Sequence, residues 1–231
     1  MKIGVVASKE FFAISSVLGK REDTLITVNK HQNISYWKAD KEHRHYGLYM
    51  IRSDIGELAA AAATQALIDC TKVDFVVNFG MAHALHSDVK QSSVCVVPGV
   101  VHYDFDVSSC RIAKRCEYPQ YYNDRIPVDP GLLSEVSRFD PSLPQTICAS
   151  GDTFVINNAD KAILQNICQA DICDMNAAGV LLTCITNDKP CLILKGITDG
   201  VHNGATSDDT IFDLDAQNCF KQVLDILEFL S

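Results

Sequence analysis

Residues 191–200 contain the feature that most restricts how this chain can fold. Pro190 interrupts the preceding segment, and three consecutive aliphatic residues, 192–194, then follow without polar alternation. An unbroken apolar run of this length is typical of a strand buried on both faces, as in a sheet covered by helices on both sides. Gly196 within the run allows a neighbouring group to pack closely. The run therefore predicts a central strand of an α/β fold.

Asp199 follows this strand directly. In α/β sheets, functional groups gather at the carboxyl ends of the strands. An aspartate in apolar surroundings has a raised pKa, which suits a general acid. The alternative is that Asp199 caps the next helix or turn. The stretch alone leaves both interpretations open.

Apolar strand-like runs alternate with helical segments along the whole sequence, with no linker and no repeat. This alternation predicts a single α/β domain over residues 1–231 with a largely buried sheet. Loops are expected at 38–46 and 108–131. The predicted strands are 2–7, 24–29, 34–37, 48–51, 73–79, 93–97, 100–103, 146–149, 172–175 and 192–198. Four predicted helices span 57–70, 159–169, 177–187 and 215–230. One further helix is predicted to end at 18, and another to begin at 132.

The charge of the chain argues against several classes of partner. The formal net charge is −9, and the one basic cluster, 38–44, also contains acidic residues. We therefore expect no nucleic acid and no anionic membrane as partner. No apolar run approaches the ~18 residues of a membrane span.

The ten cysteines do not follow a metal or redox pattern. No Cys-x-x-Cys pair occurs, so a zinc site is not expected, and no metal or organic cofactor is implied. We expect a reduced, cytoplasmic protein that uses cysteine as a small core residue. Five cysteines lie in apolar runs: Cys70, Cys95, Cys148, Cys184 and Cys191.

Several short motifs occur in an order and spacing that match one family over nearly the whole chain. The chain resembles the nucleoside phosphorylase and nucleosidase superfamily, most closely its methylthioadenosine/S-adenosylhomocysteine nucleosidase branch. The motifs are Met1-Lys2-Ile3-Gly4-Val5-Val6, Ser53-Asp54-Ile55-Gly56, Asn78-Phe79-Gly80, Asp104-Phe105-Asp106-Val107, Ser150-Gly151-Asp152-Thr153-Phe154, Asp174-Met175-Asn176-Ala177 and Ile197-Thr198-Asp199.

The resemblance implies a three-layer α/β/α sandwich around a mixed, twisted sheet, and a homodimer. It also implies cleavage of the N-glycosidic bond of a purine nucleoside, with Asp199 as the general acid that protonates the leaving base. Phe154 matches the aromatic residue that stacks on the base. The backbone of Val155 matches the group that recognises the purine edge, with Thr198 beside it. The 5′ pocket would be completed by a partner-subunit loop within 105–122.

Two residues match the sugar-binding segment. Met175 matches the residue that packs under the ribose, although Met175 and Phe154 would also be ordinary core residues. Asn176 stands where the nucleosidase branch has a glutamate that binds both ribose hydroxyls. Asparagine is uncharged and shorter, and charge-assisted hydrogen bonds are roughly twice as strong as neutral ones. We therefore expect a weaker grip on ribose or a different sugar.

The water-activating glutamate of the branch has no obvious counterpart. Ungapped alignment places Phe12 at its position, and Glu10 is the nearby carboxylate. Two residues along a helix correspond to ~200° of rotation, so Glu10 would face away from the position of Phe12. Loss of a positioned base costs ~10²–10⁴ in rate.

Three further positions depart from the family pattern. Met81 and His83 add bulk to a segment that is small and glycine-rich in the family, and Lys195 replaces an arginine and loses its bidentate fork. His83 is a candidate substitute base or phosphate ligand, or it simply fills a loop.

Three functions remain open at this point. The first is a purine nucleosidase that acts by hydrolysis on a methylthioadenosine- or S-adenosylhomocysteine-like nucleoside. The second is a phosphorylase, although the positions of its phosphate-binding arginines read as Lys9 or Phe12 and as Asn78. The third is a degenerate member that binds a nucleoside or base without cleaving it.

Overall fold

The structure is a computed structural model that describes residues 1–19, 22–41, 44–114, 116–119, 125–155, 157–198 and 209–231. Strands and helices are interspersed along these residues. The strands are β1 (Lys2–Ala7), β2 (Glu22–Thr27), β3 (Asn33–Lys41), β4 (Arg44–Arg52), β5 (Phe75–Ala84), β6 (Val94–Val96), β7 (Gly99–His102), β8 (Ile126–Pro127), β9 (Cys148–Ser150), β10 (Ile172–Asp174) and β11 (Cys191–Thr198). The helices are α1 (Phe11–Leu18), α2 (Glu57–Thr71), α3 (Pro130–Phe139), α4 (Asn158–Asn166), α5 (Ala177–Thr186) and α6 (Asp209–Leu230), and a short 3₁₀ turn covers Ser108–Cys110. In two groups of three, β2–β4 and β5–β7, the strands follow one another without an intervening helix.

The strands form one mixed sheet centred on β5. The main path runs β2-β3-β4-β1-β5-β10-β9-β7-β8, and β11 pairs with β5 and with β6. β1 and β11 are parallel to β5, whereas β10 is antiparallel to its end. β5 thus has three neighbouring strands, β1, β10 and β11, so the sheet branches at β5 and its centre is partly barrelled.

Helices cover both faces of the sheet, and this confirms the predicted α/β/α sandwich. On one face, α2 and α5 pack together over a core that contains Leu67 and Val180. On the other face, α6 packs against α1 and α3 over a core that contains Phe220. A smaller third core, which includes Leu164 of α4, lies under the segment that follows β9.

The strand built from 191–198 is central, as its composition predicts. All eight residues of β11 are buried, and the strand pairs on both sides. Gly196 is required for close packing: a Cβ atom there would come within 2.5 Å of Met81 Sδ and 2.9 Å of Cys219 Sγ. The end of β11 is therefore pressed against the end of β5.

Some boundaries differ from the sequence prediction. The expected polar loop at 38–46 is wrong, because β3 and β4 continue as an antiparallel pair as far as Lys41 and Arg44. β5 was expected to end at Phe79, yet it continues to Ala84 because β10 and β11 supply hydrogen-bond partners for the extra residues. His83 consequently lies on a strand and not in a loop.

The cysteines follow the prediction in part. Cys95, Cys148, Cys184 and Cys191 are buried, but Cys70 is exposed at the outer face of α2. A disulfide joins Cys116 to Cys168, with 5.9 Å between their Cα atoms. The two cysteines lie 52 residues apart in sequence, and no local motif indicates that they meet.

Among the described residues, no helix combines the length and the apolar character needed to cross a bilayer.

Candidate active site

A cavity of 360 Å³ opens where the carboxyl ends of several strands meet. Apart from Phe212 of α6, its lining comes from segments that follow or end β1, β4, β5, β9, β10 and β11, which is where functional groups of α/β sheets gather. The lining residues are Ser8, Lys9, Glu10, Ile55, Gly56, Met81, His83, Thr153, Phe154, Val155, Cys173, Asp174, Met175, Asn176, Thr198 and Phe212.

One wall of the cavity is aromatic. The ring of Phe154 is 49% exposed and meets the His83 ring edge-on, with 5.2 Å between centroids. Val155 is buried next to it. Thr198 Oγ1 donates to the carbonyl of Ala82 at 3.1 Å and lies 3.3 Å from His83 Nδ1. This wall offers an exposed ring face of the kind that stacks on a planar base.

Thr198 is the last described residue of β11. Asp199 lies outside the described residues, so its predicted role as general acid stays a prediction. The strand that leads to it ends at the cavity, since Thr198 is part of the lining.

Two described carboxylates line the cavity, Asp174, which is paired with Lys195, and Glu10, which is not paired with a cation. The side chain of Glu10 is only 5% exposed, and its Oε1 accepts a hydrogen bond of 2.8 Å from the backbone N–H of Met81. Its Oε2 is buried and has no hydrogen-bond partner among the described residues. Burial raises the pKa of Glu10, against the lowering effect of the Met81 N–H and of Lys195. A buried acceptor without a partner indicates a water molecule or ligand group at this point.

Phe12 points the other way. It is 61% exposed, and its ring packs under the Arg52 guanidinium at 4.8 Å. The helix begins at Phe11, so Glu10 precedes its first turn and the two side chains lie on opposite faces, as the rotation argument requires. Glu10 therefore faces the cavity. The ungapped alignment, which places Phe12 at the position of the water-activating glutamate, does not identify the residue that lies there.

Lys195 lies behind the cavity floor and is fully buried. Its Nζ forms an ion pair with Asp174 Oδ2 at 2.6 Å and donates to Asn78 Oδ1 at 2.6 Å and to Asn176 Oδ1 at 3.0 Å. Burial is the largest single influence and lowers the pKa of Lys195, but the charge and hydrogen bond of Asp174, together with other nearby groups such as Glu10, raise the pKa above its usual value. Lys195 therefore orients Asn176 as a fixed cation and does not itself line the cavity.

Met175 and Asn176 lie on the cavity wall that follows β10, and Met81 lies on the wall formed by β5. The structure therefore brings together every described candidate that the sequence singled out, except Phe12, which faces outward, and Lys195, which supports the wall from behind.

A buried acidic pair behind this wall escaped the sequence analysis. The hydroxyl of Ser150 contacts Glu57 Oε1 and lies 2.5 Å from Asp174 Oδ1, while the backbone N–H of Ala178 donates to Ser150 Oγ. One hydroxyl proton cannot serve two carboxylates, so one of them must carry a proton. Burial first, and then the charge of Asp174, raise the pKa of Glu57 to about 7. Asp174 holds the ammonium of Lys195, so the proton resides on Glu57.

This arrangement predicts a pH-dependent stability. The folded-state pKa of Glu57 lies above its usual 4.5, so its contribution is complete below pH 4.5 and is lost as pH rises towards about 7. The loss amounts to about 3 kcal/mol of unfolding free energy. Glu57→Gln mimics the protonated acid, because Gly179 N–H can still donate to its oxygen and its amide can donate to Ser150. We expect the variant to match the wild type at pH 4.5 and to be more stable by up to about 3 kcal/mol at pH 8.

Urea unfolding at both pH values measures this difference. Glu135→Gln is the matched control, since the Glu135 side chain is partly exposed and its ion pair among the described residues is with Arg138 on the surface of α3. A Glu57→Gln variant that is less stable than the wild type at pH 8 would contradict the assignment of the proton.

Among the described residues, no group of three or more histidine, cysteine, aspartate or glutamate side chains is arranged to hold a metal ion.

The chain belongs to the phosphorylase superfamily, whose family model matches residues 12–228. The resemblance stated from the motifs is thereby confirmed. A curated relative, the 5′-methylthioadenosine/S-adenosylhomocysteine nucleosidase of Buchnera aphidicola, is 25% identical over 189 residues, which cover 80% of this chain and 77% of the relative.

Two solved structures have the same fold. A Helicobacter pylori 5′-methylthioadenosine/S-adenosylhomocysteine nucleosidase, complexed with a pyrrolopyrimidine–pyrrolidine compound, superposes with a TM-score of 0.86 at 21% identity over 98% of this chain and 97% of that one. A futalosine hydrolase mutant of Helicobacter pylori superposes with a TM-score of 0.85 at 22% identity over 98% of both chains.

Proposed function

We propose that this protein is a purine nucleosidase that hydrolyses the N-glycosidic bond of a methylthioadenosine- or S-adenosylhomocysteine-like nucleoside. The observation that carries the proposal is Glu10, a buried carboxylate with one oxygen anchored and the other without a partner inside the cavity. The family and the named relatives support the same reaction class.

Each wall of the cavity has a role in this reaction. The base stacks on Phe154 beside Val155 and Thr198, and the sugar lies over Met175 near Asn176. Glu10 takes a proton from a water molecule that attacks the anomeric carbon as the base departs. Asp199 donates a proton to the departing base, which relieves its developing negative charge. The products are the free base and the free sugar.

The geometry favours hydrolysis over the two alternatives that the sequence leaves open. A phosphorylase needs cations around its phosphate, yet Lys195 is held by Asp174, and the ammonium of Lys9 lies over the Phe212 ring at 4.6 Å. A carboxylate at Glu10 would also repel a phosphate nucleophile. A binding-only protein would have no use for a desolvated carboxylate, which is costly to bury.

Release of free base from a panel of nucleosides tests the proposal. Methylthioadenosine, S-adenosylhomocysteine, adenosine and inosine are each incubated with and without phosphate. We expect release without phosphate. Release that requires phosphate would make the protein a phosphorylase, and binding of adenine without any release would make it a binding protein.

We further propose that residues 1–231 act as one such domain in a homodimer. Ile55, at the cavity rim, is 69% exposed, and Leu58, on the adjoining first turn of α2, is 82% exposed. Two large exposed aliphatic side chains beside an active cavity suit a surface that a second copy covers. We expect sedimentation to give a dimer and Leu58→Glu to give a monomer; a monomeric wild type would contradict this. The cytoplasmic location inferred from the sequence stays a prediction.

A further inference from the structure

Asn176 does not use its side chain as its position in the fold would suggest. It occupies the N-cap position of α5, where asparagine commonly accepts a hydrogen bond from the first turn, yet its side chain makes no capping bond. Asp174 accepts from the Ala177 N–H in its place. The amide of Asn176 is therefore available for other contacts.

The hydrogen bonds of Lys195 determine which way that amide points. An ammonium group has three N–H donors and no acceptor. All three are used, by Asp174 Oδ2, by Asn78 Oδ1 and by Asn176 Oδ1. The atom of Asn176 that faces Lys195 must consequently be its oxygen, because a flipped amide would place a donor against a cation.

Asn78 reinforces this orientation. Its own oxygen is held by Lys195, so its Nδ2 faces the other way and donates to Val6 O at 3.4 Å and to Asn176 Oδ1 at 3.1 Å. Both lone pairs of Asn176 Oδ1 are thus occupied by buried donors. What remains is Nδ2, which has no hydrogen-bond partner among the described residues, on a side chain that lines the cavity.

We propose that Asn176 contacts the sugar of the nucleoside by donating hydrogen bonds from its amide N–H groups. The site then does not require a sugar hydroxyl that donates a hydrogen bond, and it accepts purine 2′-deoxynucleosides as well as ribonucleosides. The inference rests on the proposed function, since it assigns the sugar to this wall. A carboxylate at this position would instead accept from both hydroxyls of a ribose. With asparagine at this position, removal of the 2′-hydroxyl costs one neutral hydrogen bond and not a charge-assisted one.

The magnitudes separate the two cases. A neutral hydrogen bond contributes up to roughly tenfold in affinity, whereas one to a charged group contributes on the order of 10- to 100-fold. We therefore expect the wild type to bind a ribonucleoside less than about tenfold more tightly than its 2′-deoxy counterpart.

The probes are formycin A and 2′-deoxyformycin A, in which a carbon–carbon bond joins base and sugar so that no cleavage occurs. Their dissociation constants are measured by calorimetry for the wild type, Asn176→Glu and Asn176→Gln. Glutamate and glutamine have the same length, so the pair separates an acceptor from a donor at constant reach. We expect the preference for the ribo form to rise about tenfold or more in Asn176→Glu and to stay near the wild-type value in Asn176→Gln. Asn166→Glu, on the exposed surface of α4, controls for added charge.

Three results would overturn the inference while leaving the proposed function intact. The first is a wild-type preference for the ribo form above about tenfold. The second is an equal rise of the ribo preference in Asn176→Glu and Asn176→Gln, since the length of the side chain and not its hydrogen-bonding character would then determine the preference. The third is no rise in a folded Asn176→Glu. If Asn176→Glu does not fold, the ratio of the two dissociation constants in the wild type tests the inference by itself. Failure of the proposed function is separate: the wild type would then release no base from any nucleoside, whatever these ratios are.

Discussion

In the Glu10→Gln variant, we expect the rate of base release from purine nucleosides to fall by ~10²–10⁴-fold, the usual effect of removing a general base. Glutamine keeps the shape of the side chain, and its oxygen can still accept from the Met81 N–H. What it loses is the capacity to take a proton from water. Nucleoside binding should change little by comparison, so the effect should appear in kcat and not in KM.

The pH dependence of the wild type provides a second measurement of the same role. Glu10 must be ionised to act as a base, and burial raises its pKa. Activity should therefore decline on the acid side, with an apparent pKa above that of a free glutamate, and the residual activity of Glu10→Gln should lack this acid limb.

Two further variants identify the residue that acts. Glu135→Gln makes the same chemical change in a partly exposed side chain of α3 and should retain full activity. Phe12→Glu should not raise hydrolysis, because the side chain at that position points to solvent. A clear gain from Phe12→Glu, with no loss from Glu10→Gln, would assign water activation to the Phe12 position instead.

The second large effect concerns Asp199, which we expect to be the general acid. Asp199→Asn should lower base release by ~10²-fold or more while the protein remains folded, because asparagine cannot deliver a proton to the leaving base. The measurement is release of adenine from methylthioadenosine, together with a thermal unfolding curve for each variant. Asp225→Asn, at an exposed position of α6, is the matched control.

The two acid–base residues should also behave differently towards the leaving group. A nucleoside whose base departs readily without protonation needs no acid, so the deficit of Asp199→Asn should shrink with such a substrate. The deficit of Glu10→Gln should persist, since water must still be activated. An unchanged rate in Asp199→Asn would remove Asp199 from the mechanism and leave the capping interpretation.

Much of the fold follows from local sequence patterns. The continuous apolar run at 192–194 predicts a buried strand, and the alanine-rich segment at 57–70 and the amphipathic one at 215–230 predict helices. These patterns are local because side-chain periodicity reports directly on which faces are buried. The loop predicted at 38–46 is wrong because strand pairing, a non-local interaction, extends β3 and β4 through these polar residues.

The sequence by itself determined the fold class, the family and the segments that meet at the cavity, since these depend on periodicity and on the order of short motifs. Only the tertiary structure decided that Glu10 faces the cavity while Phe12 faces solvent, because a helix start can expose either face. The tertiary structure alone also decided the orientation of the Asn176 amide and the protonation of Glu57. Both depend on buried charges that distant strands and helices bring together. Burial amplifies such contacts by lowering the local dielectric, and sequence spacing carries no record of them.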